Sequence, residues 1–590
     1  MTLSSRRRPS ALLLIALIAG CLASAVGCAP GPASVPADLV LKNGVFYTVD
    51  ASSSRAAAAA VKDGKFVYVG SDSGASAFIG KATKVVDLGG RLVLPGFIDS
   101  HAHVISSYRH FFELNIFGLT TVEEIQKAIR DYAAARPGAE RISGRGWSNT
   151  AFPKTGPDRR IIDAVVADIP VSLASEDGHS RWVNSKALAL AGITKETKNP
   201  PGGLIERDPA TGEPTGTLRE SAAGLAAGLF PPFTVDQLKQ GIEACQRMAL
   251  AFGITTVHEA SLDSGSNEIT AFRELERDGR LTMRIRASLY VDPVRGPAQL
   301  ETLVRERERN TGDLFRTPGA KLFIDGVVEG STAYLKEPYK HLPGFRGEPV
   351  WKAADLDRIC AALDREKFQI HAHSIGDAAT AGILDALAFA RKTNGARDGR
   401  PLVTHLQLVD KADVPRFAEL GVVAVPQPYW FAKDDYYFNL QAPFLGRERA
   451  DAEYPMRSFF DAGVVVASAS DFPVTVPCNP LIAIQMGITR EETGTGDPAL
   501  VLWPEEKASL EEMIRSFTIN GAYANFLEKE TGSIEPGKWA DLVVLDKNLF
   551  EIPADEIASA RVVLTLFEGK TVYEAGDAPA APAAGTKERP

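Results

Sequence analysis

The sequence predicts an α/β protein: a (β/α)8 barrel, a composite β-sandwich built from both chain ends, and a large insertion after the first barrel strand. Three observations predict it. Eight short apolar runs alternate with helical patterns through the middle of the chain, and most carry a His, Lys or Asp near the C-terminal end. Strand-like runs bounded by turn residues recur near both ends. The first two of the eight runs lie about 150 residues apart, far more than a βα connection needs.

From the N-terminus, Arg6, Arg7 and Arg8 precede an apolar run from Ala11 to Val26, the anatomy of a secretory signal over 1–27. Two stretches resemble a lipobox, ending at Cys21 and at Cys28, and the Pro-rich linker over 28–37 favours Cys28. The expectation is export to the periplasm with a lipid anchor. Leu39 to Leu41, followed by a hairpin signal at Asn43-Gly44, opens the sandwich, assigned to 38–95 and 530–575. The barrel occupies 96–529, with its strands at 96–103, 253–259, 282–291, 320–325, 368–374, 402–406, 421–427 and 464–471. The insertion is placed at about 110–245, over the barrel mouth. The last stretch, 576–590, is Ala/Pro-rich and reads as disordered.

Composition narrows the function. Lys and Arg number 65 against 74 Asp and Glu, a formal charge of −9, which argues against nucleic acid as a partner. Five cysteines are too few for a disulfide framework, and Cys245, Cys360 and Cys478 read as buried thiols. Beyond the anchor, nothing calls for a membrane.

The chemistry lies at the strand ends. Residues two apart on a strand face one way, so His101 and His103 present two imidazoles in one direction. His373, His405 and Asp471 end the fifth, sixth and eighth strands. Four imidazoles and a carboxylate on one rim suit one or two divalent metal ions. Lys321, on the fourth strand, faces either the site or solvent. In the site, desolvation would leave a neutral amine able to take up carbon dioxide and become a bridging carbamate.

Together these pieces resemble the metal-dependent amidohydrolase superfamily, in its YtcJ-like or amidohydrolase-3 branch, which includes N-substituted formamide deformylase-like enzymes. The matching segments are PGFIDSHAH (95–103), GRGWSN (144–149), DGHSRWVNSKAL (177–188), GITTVHEA from Gly253, KLFIDG from Lys321, HSIGDAA from His373, VTHLQL from Val403, SDFPV (470–474) and TGSIEPGKWADLVVLD (531–546). The resemblance implies His101 and His103 on one metal and His373 and His405 on a second. It implies carbamylated Lys321 between them and Asp471 as ligand and general acid/base, with Zn2+ the expected ion. His371, two before His373, is expected one layer deeper as a core or supporting residue. Trp147, His179, Trp182, His258, Tyr429 and Trp430 are expected to line the pocket. The expected reaction is hydrolysis of a small-molecule amide, N-formyl or N-acyl, by metal-activated water. A deaminase or cyclic amidase on a heterocycle is the alternative, and a catalytically dead binding protein the more distant one. A homodimer is compatible with the sequence.

Overall fold

The computed structural model describes residues 35–576. The signal, both lipobox cysteines, most of the linker and nearly all of the C-terminal tail lie outside the described residues. Seven parallel strands form the barrel sheet: β1 (Phe97–Ala102), β2 (Ile254–Leu262), β3 (Arg284–Tyr290), β4 (Phe315–Phe323), β5 (Gln369–Ser374), β6 (Leu402–His405) and β7 (Val423–Val425), paired in that order. Every residue of β1, β5 and β6 is buried, as expected for parallel strands covered by helices outside and side chains inside.

The eighth predicted strand is an irregular extended run rather than a regular ladder. Its lone bridge pairs Ala424 with Val466. Backbone hydrogen bonds nevertheless run from it to both edges: Ala467 N to Ala424 O (2.9 Å) towards β7, and Asp471 N to His101 O (2.8 Å) towards β1. The barrel therefore closes through the Ala-Ser-Ala-Ser segment, and the helix residue Gly521 packs so tightly on β1 that a Cβ there would meet Ile98 at 2.9 Å.

Both chain ends meet in one six-stranded sheet, in the order Lys570–Glu574, Val562–Phe567, Leu542–Leu545, Leu92–Pro95, Val45–Tyr47, Arg55–Ala56. A four-stranded sheet of Lys65–Gly70, Ala58–Lys62, Leu39–Lys42 and Lys84–Asp87 packs with it through Leu41, Phe66, Val93 and Leu542. Asn43-Gly44 makes no hairpin. Leu39–Lys42 and Val45–Tyr47 belong to different sheets, and Asn43, at φ 54°, turns the chain between them while its side chain donates to Asp87 (2.8 Å).

Between β1 and β2 stands a third sheet of six strands, from Leu114–Asn115 to Pro214–Glu220, with its own core around Ile125, Trp147, Leu173 and Trp182. The helix Val235–Ala251, expected in the insertion, packs Leu238, Ile242 and Ala249 into the barrel's core instead. The insertion grips the mouth: Arg145 donates to Pro473 O (2.9 Å), and Tyr436 donates to Glu176 (3.2 Å). The three thiols are buried and free. Among the described residues no helix is long and apolar enough to cross a membrane.

Candidate metal centre

β1 delivers His101 to the barrel interior, fully buried, with His103 just beyond the strand end. Asp471 completes a cluster with them, its Oδ1 lying 3.3 Å from His101 Nε2 and 3.4 Å from His103 Nε2. That oxygen is buried yet takes no well-formed hydrogen bond. Three lone-pair atoms converging in a dry place repel one another unless a cation sits between them, so the donor set fits a divalent metal.

The other predicted ligands stand around the same point. Lys321 Nζ lies 3.4 Å from His101 Nε2. The His405 ring centre is 5.1 Å from that of His101, and His373 is 4.6 Å from His405. Gln427 Oε1 accepts from His405 Nδ1 (3.1 Å); its amide nitrogen is committed to Thr404, so the acceptor role is fixed and Nε2 of His405 is left free. His405 and Asp471 both have positive φ, 75° and 59°, a strained backbone that ends each strand and typifies functional sites.

Electrostatics follow from burial. Desolvation, then the nearby Lys321, hold His101 and His371 well below the ordinary histidine range. Burial pushes the Lys321 ammonium down to about 7, although Asp471 and Glu259 pull the other way. Burial also pushes Asp471 up, but the close approach of the His103 imidazole, then His405 and the Lys321 amine, keep it below the usual carboxylate value.

The expected pocket wall divides. His179 stands at the mouth with its ring 5.6 Å from His373, and Trp430 stacks on His405 at 5.7 Å. Trp147 and Trp182 do not line the pocket. Both are fully buried in the insertion core, their indole N–H groups spent on Leu173 O and Asp158 O. His258 lies beneath the site, bonded to Ser288 and Asn525. Tyr429 turns into the barrel core instead of the mouth.

Three buried carboxylates escaped the sequence reading. Asp99, pushed to about 6 by burial, accepts from His101 N (3.2 Å) and Ser470 N (3.0 Å). Glu259, pushed to about 8, accepts from Ile105 N (3.1 Å). Asp325, pushed to about 7, accepts from Tyr334, Ile375 and Gly376 (2.7–3.0 Å). Glu220 was missed as well; it faces His179 Nδ1 at 3.1 Å. The available signal was an acid within or just after a barrel strand, in FIDSH, VHEA and FIDG.

The sequence profile described as "Amidohydrolase family" matches residues 84–573. The chain belongs to the amidohydrolase family. It is a hydrolase acting on carbon–nitrogen bonds. It is 32% identical over 549 residues to Protein LONG AFTER FAR-RED 3 of Arabidopsis thaliana, covering 92% of each chain. It is 27% identical to the N-substituted formamide deformylase of Arthrobacter pascens, covering 91% of this chain and 98% of that one. The crystal structure of an uncharacterized metal-dependent hydrolase from Pyrococcus furiosus superposes with a TM-score of 0.66 at 26% identity, covering 86% of this chain and 99% of that one.

Proposed function

We propose that this protein hydrolyses a non-peptide amide, N-formyl or N-acyl, at the centre formed by His101, His103 and Asp471. The observation that carries the reading is the buried, unbonded Asp471 Oδ1 facing two imidazole nitrogens. The similarity to a formamide deformylase along nearly the whole chain supports an amide substrate.

His101, His103 and Asp471 would hold the ion, for which we propose Zn2+, with His373, His405 and a carbamylated Lys321 beside it for a second. Such an ion supplies a water acidified towards ~7 and polarises the substrate carbonyl. Asp471, kept anionic at neutral pH, takes the proton from water and passes it to the departing nitrogen, which leaves only as an amine. His179 is the counterpart on the insertion. Burial disfavours its charge, yet Glu220, then Asp177 and Glu329, raise it to about 10, so it faces the mouth as an imidazolium able to hold a carbonyl oxygen. Trp430 supplies a flat wall over His405. We further propose, from the sequence of the leader alone, that the protein is exported to the periplasm and tethered at Cys28 or Cys21.

The test is a hydrolysis screen of the zinc-loaded chain over N-formyl amides, N-acyl amino acids and cyclic amides, with metal-stripped protein as control. Metal-dependent release of formate or another carboxylate is expected. Turnover confined to heterocycles, with ammonia released, would move the assignment to deamination.

A further inference from the structure

Beneath the metal centre a single file of hydrogen bonds crosses the barrel. His101 Nδ1 lies 2.7 Å from His371 Nε2, and His371 Nδ1 lies 3.0 Å from Ser288 Oγ. Ser288 Oγ lies 2.8 Å from His258 Nε2, and His258 Nδ1 lies 2.8 Å from Asn525 Oδ1. All five residues are 3% exposed or less. No carboxylate comes within ion-pair range of His371 or His258 among the described residues. The rings are uncharged, and each carries one proton.

The direction of the file is decided at its far end. Asn525 Nδ2 donates to Gly521 O (2.8 Å), a carbonyl that can only accept, so Asn525 must turn its Oδ1 to His258. His258 therefore has its proton on Nδ1 and a lone pair on Nε2. Ser288 donates to that lone pair and accepts from His371 Nδ1–H. His371 is left with a lone pair on Nε2, which accepts from His101 Nδ1–H. His101 then turns a bare Nε2 towards Asp471. Reversing any link would set two protons, or two lone pairs, against each other at the next. Room for the hydroxyl is built in: a Cβ on Gly319 would meet Ser288 Oγ at 2.2 Å.

We propose that His371, Ser288, His258 and Asn525 form a tautomer relay that fixes His101 as an Nε2 metal ligand. They are positioning residues: none offers an atom to the ion. The relay rests on the metal-centre reading but concerns which nitrogen of His101 is free, not which bond is cleaved. Partners that orient a ligating imidazole commonly carry 10- to 100-fold in metal affinity.

The experiment measures Zn2+ affinity of the full chain by chelator competition, for wild type, Ser288→Ala, Asn525→Ala and the double variant. Each single variant is expected to bind Zn2+ ~10-fold or more weakly. The double variant should lose little beyond the worse single one, because one file is broken either way. The two sites lie on different elements, so a folding defect at one leaves the other informative. In 15N-histidine spectra, wild type should show His101, His371 and His258 protonated on Nδ1, a pattern lost in Asn525→Ala. A wild-type proton on Nε2 of His371, unchanged affinity in both single variants, or strictly additive losses would overturn the relay and leave the hydrolase reading standing. A wild-type chain that takes up no Zn2+ would overturn both.

Discussion

Glu220→Gln tests the charge at the mouth without changing its shape. Glutamine keeps one oxygen, which in the place of Oε1 still accepts from Thr332 (2.8 Å in the native chain) and from His179 Nδ1 (3.2 Å), but not the charge. An imidazole moved from 6.5 to about 10 favours its charged form by about 5 kcal/mol, at ~1.4 kcal/mol per pH unit. Both side chains keep 19% of their surface open, and screening reduces the figure to ~2–3 kcal/mol. The sign is that of a raised histidine: the charge and its stabilisation are complete below the unfolded pKa and disappear as pH rises through about 10. Wild-type kcat/KM should therefore be flat between pH 7 and 9 as far as His179 is concerned. In Glu220→Gln the pKa falls back towards the ordinary histidine range, and kcat/KM should drop ~10-fold or more over that interval. The assay is a pH series on any amide the hydrolysis screen identifies, with thermal melting to confirm the fold. Superimposable profiles would refute an imidazolium role for His179.

Asp471→Asn should retain metal, measured by elemental analysis, while turnover falls ~10²- to 10⁴-fold; near-normal turnover would remove its acid/base role. Lys321→Ala should lower metal per chain, partly restored by short carboxylic acids; unchanged stoichiometry would argue against a carbamate bridge. His110, held at about 4 by burial and then Arg145, has a buried Nδ1 without a partner and packs on Phe111, Phe117 and Phe472. Its lowered pKa means that protonation opposes folding, so stability declines as pH falls from 6.5 towards 4, by at most ~3 kcal/mol from this group. His110→Phe should flatten that acid limb in denaturant titrations at pH 7 and pH 4.5; an equally steep decline would contradict it.

The barrel and the centre of the site were legible because period-2 parity and strand-end position are local: His101, His103, His373, His405 and Asp471 announce themselves one strand at a time. The misreadings share another cause. Trp147 and Trp182 flank motif residues, and an aromatic beside a motif reads as a wall; only the fold shows that the insertion must bury its own core and uses these two indoles to fill it. Asn43-Gly44 has the chemistry of a hairpin turn, yet the strands on either side find partners in different sheets. The link from Asn525 to His258 spans 267 residues, and no spacing announces it.

The buried acids explain how irregular strand ends can hold ligands in place. Asp99 ties His101 N to Ser470 N, and so locks the ends of β1 and of the irregular closing run together. Asp325 gathers Tyr334, Ile375 and Gly376, joining the loops after β4 and β5 beside His373. Glu259 holds Ile105 just past His103. Each is a carboxyl group whose ionised form burial disfavours more than its backbone N–H donors restore, yet it satisfies N–H groups that would otherwise be orphaned in the same place. None of the three was placed among the metal ligands, and none needs to be: their work is to fix loops whose own hydrogen bonding is incomplete. A site assembled from seven regular strands and one irregular run therefore gains its rigidity from acids pointing at backbone, while the imidazoles and Asp471 keep their lone pairs for the centre.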